Sequence, residues 1–227
     1  ELSQQLEKKG QEIYKFGLGQ SPFPVPQIIV EELKKNAQQK NYINVSGLIE
    51  LRNLVAQYHT IKNKNNYTAD NVIIGPGSKE LIFHTQLVLD CDVLLPSPSW
   101  VSYEPQAQIL NKKIHWIKTD ATTNWHITPD DLDKISQNLH QVEKLLILNS
   151  PNNPSGTTHN NLEALALIAK KNNIIVLSDE IYAELDFSGK YKSMSHYYPE
   201  GTIISSGLSK WCGAGGWRIG SITFPKE

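Results

Sequence analysis

The chain is 227 residues long and 39% hydrophobic, which allows a full-sized core and excludes a disordered or fibrous class. Its 22 basic and 23 acidic residues leave a net charge of -1, so no long-range field draws it to nucleic acid or an anionic membrane, and small molecules or proteins are the expected partners. Apolar runs such as 93–95 and 174–177 fall far short of the roughly 20 residues that span a bilayer.

Residues 1–10 are polar and charged, without the basic start and apolar middle of a secretory signal. Leu2, Leu6 and Ile13 carry helical spacing across 1–15, in a segment so polar that it must lean on another element, as an arm or linker helix does. Three prolines within 21–26 mark a loop, followed by a helix around 28–39. From Val72 onward, short β-branched runs alternate with helical stretches. The runs are 72–74, 93–95, 114–117, 145–148, 174–177, 203–204 and 219–224. Continuous rather than alternating apolar runs indicate strands buried on both faces. The expectation is therefore an α/β fold, a mainly parallel seven-stranded sheet sandwiched by helices. Residues 161–171 exemplify the helices, with Leu162, Leu165, Ala166 and Ala169 on one face and the polar cluster 157–160 offering an N-cap. Cys91 and Cys212 are too few for a disulfide framework and read as reduced, packed thiols in a cytoplasmic protein.

Ligands of doubly wound sheets sit beyond the carboxyl ends of the strands, and four such places carry unusual residues. After Ile74 comes Gly75-Pro76-Gly77-Ser78-Lys79, and after Leu148 comes Asn149-Ser150-Pro151-Asn152-Asn153-Pro154-Ser155-Gly156. After Leu177 comes Ser178-Asp179-Glu180-Ile181-Tyr182, and after Ile204 comes Ser205-Ser206-Gly207-Leu208-Ser209-Lys210. The seven histidines, at 59, 84, 115, 126, 140, 159 and 196, are scattered without ligand spacing and indicate no metal site.

The segments SPNNPSG, DEIY, LSK and GWRIG stand in this order, with Arg218 eight residues after Lys210. Together they resemble the class I/II aminotransferases, fold-type-I pyridoxal 5′-phosphate (PLP) enzymes of the aspartate aminotransferase kind. The resemblance implies that Lys210 forms a Schiff base with the PLP aldehyde and later shuttles a proton between the substrate α-carbon and cofactor C4′. It implies that Asp179 keeps the pyridine nitrogen protonated, and that Tyr182 and Asn153 hydrogen-bond the ring hydroxyl oxygen. The bond between Asn153 and Pro154 is expected to be cis, as it often is in the family.

A phosphate site is implied at Gly77, Ser78 and Lys79, where a strand turns into a helix, with Arg218 as a bidentate clamp. Where the family has serine three residues before the lysine, this chain has Gly207, so Ser209 or Ser206 is expected to replace that hydroxyl. Trp100 aligns with the aromatic that stacks on the cofactor ring. Tyr42, in Asn41-Tyr42-Ile43-Asn44-Val45-Ser46-Gly47, resembles the tyrosine that reaches the neighbouring subunit's phosphate, which implies a homodimer. Gly19, in Gly17-Leu18-Gly19-Gln20, matches the glycine beside the substrate carboxylate, a substrate contact that Asn153 is expected to share.

With this resemblance, 1–20 is an N-terminal arm or small-domain segment and 21–227 the PLP-binding large domain. Family members continue well beyond their G-W-R-x-G strand, into the rest of a C-terminal small domain that carries the α-carboxylate-binding arginine. The 227-residue chain by itself is therefore expected to bind PLP weakly and to transaminate poorly. The implied reaction moves an amino group from an amino acid to a 2-oxo acid. A β- or γ-eliminating lyase or aminocyclopropane-carboxylate synthase-like enzyme uses the same PLP residues and stands as the alternative. The PLP-binding effector domain of a transcription regulator is a further one, although no basic helix-turn-helix occurs in 1–16.

Overall fold

The computed structural model describes residues 2–14, 19–139 and 143–225, leaving His140 and the Gly17-Leu18 half of the glycine motif outside the described residues. All seven apolar runs form strands: β1 Val72–Gly75, β2 Asp92–Ser97, β3 Ile114–Lys118, β4 Lys144–Asn149, β5 Ile174–Asp179, β6 Thr202–Gly207 and β7 Gly220–Thr223. They make one sheet in the order β1-β7-β6-β5-β4-β2-β3. β7 runs antiparallel to both neighbours, and the other pairings are parallel. The mainly parallel α/β sandwich is the fold of this chain.

Every residue of β4 is buried, which is why its apolar run is unbroken. Its side chains divide between two layers by the two-residue period of a strand. Leu145 and Ile147 join Leu81 and Ile82 of α4 (Ser78–Val88) and Tyr103 and Ala107 of α5 (Tyr103–Ile109). Leu146 and Leu148 join Leu132 of α6 (Pro129–Gln137) and Leu162, Leu165, Ala166 and Ala169 of α7 (Leu162–Lys171). The apolar face expected for 161–171 is thus the buried one. Its N-cap position is Asn161, without a side-chain bond, rather than the cluster 157–160.

The N-terminal helix is shorter than its spacing suggests. α1 spans Leu2–Lys8 and buries none of its residues, and Ile13 lies beyond Gly10, whose positive φ ends it. α2, Gln27–Asn36, begins directly after Pro26, and α3, Ile49–Asn63, packs Ala56 against Val72 and Ile204. Cys91 and Cys212 are free and buried. No helix among the described residues is long and apolar enough to cross a membrane.

Candidate active site

Because β1, β2, β4, β5 and β6 point the same way, the segments after Gly75, Ser97, Asn149, Asp179 and Gly207 meet at one edge of the sheet. They enclose a cavity of about 410 Å³, a size suited to a small-molecule ligand.

Its floor is Asp179, the last residue of β5, only 2% exposed. Oδ2 accepts from the Tyr103 hydroxyl at 2.6 Å and Oδ1 from the Ile181 N–H at 3.3 Å. Burial pushes the Asp179 pKa up to about 6; the two hydrogen bonds and the Lys210 charge work against it. A buried carboxylate at a pocket floor is suited to a positively charged partner, which replaces the hydration that burial removed.

One wall comes from the loop after β4. The Asn153 N–H donates to Asn149 Oδ1 at 2.7 Å, and its amide Nδ2 donates to the Tyr182 hydroxyl at 3.3 Å. Asn149 in turn donates to the Asp179 main-chain carbonyl at 2.9 Å, locking the ends of β4 and β5 together. The peptide before Pro154 is cis, as are those before Pro98 and Pro151. Burial raises the Tyr182 phenol and the Asp179 charge adds to this, while the Asn153 bond lowers it.

Across the cavity, Lys210 Nζ lies 3.4 Å from the Gly19 carbonyl and 5.7 Å from the centre of the Tyr182 ring. Ser209 lines the same space. At the far end, α4 starts at Ser78, and its free N–H groups and positive dipole face the cavity beside Lys79 and Arg218. Gly77 lies behind them at φ 96°, and a Cβ there would run into the Arg218 guanidinium. Arg218 is held by donation from Nη1 to the Gly215 carbonyl at 2.7 Å. Trp100 stands edge-to-face against Tyr103 at 5.3 Å, with Lys79 Nζ 5.6 Å from its ring centre.

Of the residues singled out from the sequence, Gly19, Ser78, Lys79, Trp100, Asn153, Asp179, Tyr182, Ser209, Lys210 and Arg218 therefore line one cavity. Tyr42 is fully exposed and stands apart from it. Ser206 is a correction: it opens onto a separate groove with Leu54, Tyr58 and Trp211, because alternate side chains of β6 face opposite ways. A side chain at Gly207 would meet the Ile219 carbonyl at 2.7 Å, so the strand pairing itself excludes serine there. Sequence reading missed Tyr103 and Asn149 as site residues. Tyr103 lies in the same short motif as Trp100, three residues on, the spacing that puts two side chains on one side of a helical turn.

A family model described as "Aminotransferase class I and II" matches residues 11–227. The chain belongs to that family. It is 29% identical over 229 residues to the aspartate aminotransferase of Bacillus subtilis (strain 168), covering 96% of this chain and 58% of that protein. It is 31% identical over 228 residues to that of Pyrococcus horikoshii, covering 96% and 57%. Among solved structures, the Thermus thermophilus aspartate aminotransferase with maleate superposes with a TM-score of 0.90 at 28% identity, covering 99% of this chain and 60% of that one. The chain thus spans somewhat under two thirds of the length of these class I and II relatives.

Proposed function

We propose that this chain carries the cofactor site of a PLP-dependent aminotransferase, which moves an amino group from an amino acid to a 2-oxo acid. The observation that carries the reading is the single cavity in which a buried carboxylate, a lysine amine, an asparagine–tyrosine pair and a helix N-terminus with an arginine face one another. A flat pyridine ring bearing a nitrogen, a phenolic oxygen, an aldehyde and a phosphate fits that donor set group by group.

PLP, when bound, supplies an electron sink for the electron pair released at the substrate α-carbon. Asp179 keeps the ring nitrogen protonated, and its raised pKa marks the unmet charge that a cationic partner would satisfy. Asn153 and Tyr182 donate to the ring oxygen and hold its negative charge. Ser78, the α4 N-terminus and Arg218 hold the phosphate. Trp100, which lines the cavity, would pack against the ring. Lys210 is the amine that would hold the cofactor aldehyde and, as a free amine beside it, would accept and return a proton at the substrate α-carbon. Gly19, beside Lys210, leaves main-chain room for a substrate carboxylate. The exposed Tyr42 reaches the phosphate of a second copy, making the site a dimer property.

Amino-group transfer is further supported by the names of relatives, which include an asparagine–oxo-acid transaminase of Streptococcus mutans. The test is borohydride reduction of the chain with PLP, followed by peptide mapping: the label falls on Lys210, and a label elsewhere refutes the assignment. Exposure to amino acids then separates the chemistries. An aminotransferase leaves pyridoxamine phosphate, whereas an eliminating enzyme returns the lysine-bound cofactor.

A further inference from the structure

Behind the wall made by Tyr103 and Asn149, His126 and His159 stack with ring centres 4.6 Å apart and planes inclined by 22°. Both are buried. Burying two imidazoles costs desolvation unless their nitrogens are bonded. Both nitrogens of His159 are bonded. His159 Nδ1 accepts from the Asn161 N–H at 3.2 Å, so the ring proton sits on Nε2, which donates to the Ile127 carbonyl at 3.1 Å. The main-chain N–H of His159 donates to Ser150 Oγ at 3.0 Å.

The main-chain carbonyl of Thr157 lies near enough to the His126 ring to favour its charged form, against the burial that lowers it, and Nε2 has no partner among the described residues. The Thr157 carbonyl also accepts the Asn152 N–H at 2.9 Å, and the Asn152 carbonyl accepts from the Gly156 N–H at 2.9 Å. The turn closed by these bonds, 152–157, is the one that carries Asn153. Of its two flanks, Ser150 is bonded to the main chain of His159, whose ring is held by Ile127 and Asn161, and the Thr157 carbonyl faces the His126 ring. The stack is in turn tied to Ile127, shortly before α6.

We propose that His126 and His159 are positioning residues for Asn153, fixing the 150–159 loop so that its amide stays on the Tyr182 hydroxyl and on the cofactor ring oxygen. The proposal rests on the cofactor reading for its last step, but its first step, the holding of the loop, does not. A phenyl ring at 159 preserves the stack and removes the ring's bonds to Ile127 and Asn161 while leaving the main-chain bond to Ser150, and a phenyl ring at 126 removes the polar edge that faces the Thr157 carbonyl. A glutamine at 159 preserves an acceptor and a donor and removes the ring.

The experiment therefore compares H159F, H126F and H159Q by two measurements. In the chain without cofactor, amide exchange at Asn152 and Asn153 becomes at least about fivefold faster in H159F and H126F. Exchange at Leu146 and Ile147 of β4 stays unchanged, and H159Q returns most of the protection. With PLP bound, the apparent pKa of the cofactor's absorbance rises by about 0.5–1 unit in H159F, the loss of roughly one hydrogen bond to the ring oxygen, and falls back in H159Q. Wild-type exchange and wild-type absorbance titration in both phenylalanine variants overturn the proposal. So does equal acceleration in β4, which makes the pair general packing. If wild-type chain takes up no PLP at Lys210, the cofactor reading fails by itself, and the exchange at Asn152 and Asn153 still decides whether the pair holds the loop.

Discussion

The hydroxyl of Tyr103 donates to Asp179 Oδ2 at 2.6 Å, with Tyr103 1% and Asp179 2% exposed. A hydrogen bond to a buried carboxylate is worth about 1.5–3 kcal/mol, and its loss leaves the oxygen without solvent to replace it. Tyr103→Phe removes one of the causes that hold the Asp179 pKa down, so that pKa moves further up and the carboxylate is less often charged near neutrality. PLP affinity is expected to fall about tenfold or more, at about 1.4 kcal/mol per decade. Titration of the variant with PLP checks this, and unchanged affinity would show that the bond only packs α5 against β5.

Asp179 also sets a pH dependence. Its pKa in the fold, about 6, is raised from 3.8, chiefly by burial. A carboxyl with a raised folded pKa favours the fold when protonated. Its contribution is full below pH 3.8 and is lost as pH rises through about 6. Above that window the protein holds an ionised carboxylate that its two hydrogen bonds and Lys210 only partly compensate, the state a protonated ring nitrogen would relieve. PLP is therefore expected to raise the melting temperature more at about pH 7.5 than at about pH 5. Asp179→Asn abolishes the difference between the two pH values. An equal gain at both in the wild type would remove Asp179 from the cofactor's ring nitrogen.

Much of this site is legible because strand ends in a parallel sheet share one edge, so residues far apart in sequence, such as Asn153, Asp179 and Lys210, read as neighbours from position alone. Tyr103 escapes because its bond to Asp179 joins residues 76 positions apart and follows from how α5 seats on the sheet, which no local pattern records. Ser206 misleads for a related reason: its neighbour in sequence is Gly207, but β6 turns it to the opposite face. The start of α6 is written in the sequence and goes unread. Thr128 and Asp131 form a reciprocal capping box around Pro129, a local signal independent of tertiary packing. The antiparallel direction of β7 depends on how 208–219 returns to the sheet, which hydrophobic runs do not encode.

Two histidines set acid sensitivity in the opposite sense to Asp179. Burial lowers His59 and His159 from 6.5 to about 4. A histidine with a depressed folded pKa favours the fold when neutral, so its contribution is full above pH 6.5 and is lost as pH falls through about 4. Each represents at most about 3.5 kcal/mol, at about 1.4 kcal/mol per pKa unit. In a nuclear magnetic resonance titration both rings are expected to stay neutral down to about pH 5. A midpoint near 6.5 for either ring would mean that it is not held neutral by burial.

Arg218 and Gly77 are matched by contact: the guanidinium occupies the space that any side chain at 77 would need. A guanidinium grips a phosphate with two parallel N–H groups, and an ammonium keeps the charge without the fork. Arg218→Lys is therefore expected to weaken PLP about tenfold or more while leaving pyridoxal, which lacks the phosphate, within about twofold of wild type. Gly77→Ala gives the same pattern from the other side, by displacing an unaltered arginine. Parallel titrations with the two ligands decide the matter. If both variants lose pyridoxal as strongly as PLP, Arg218 shapes the cavity as a whole and the phosphate lies elsewhere.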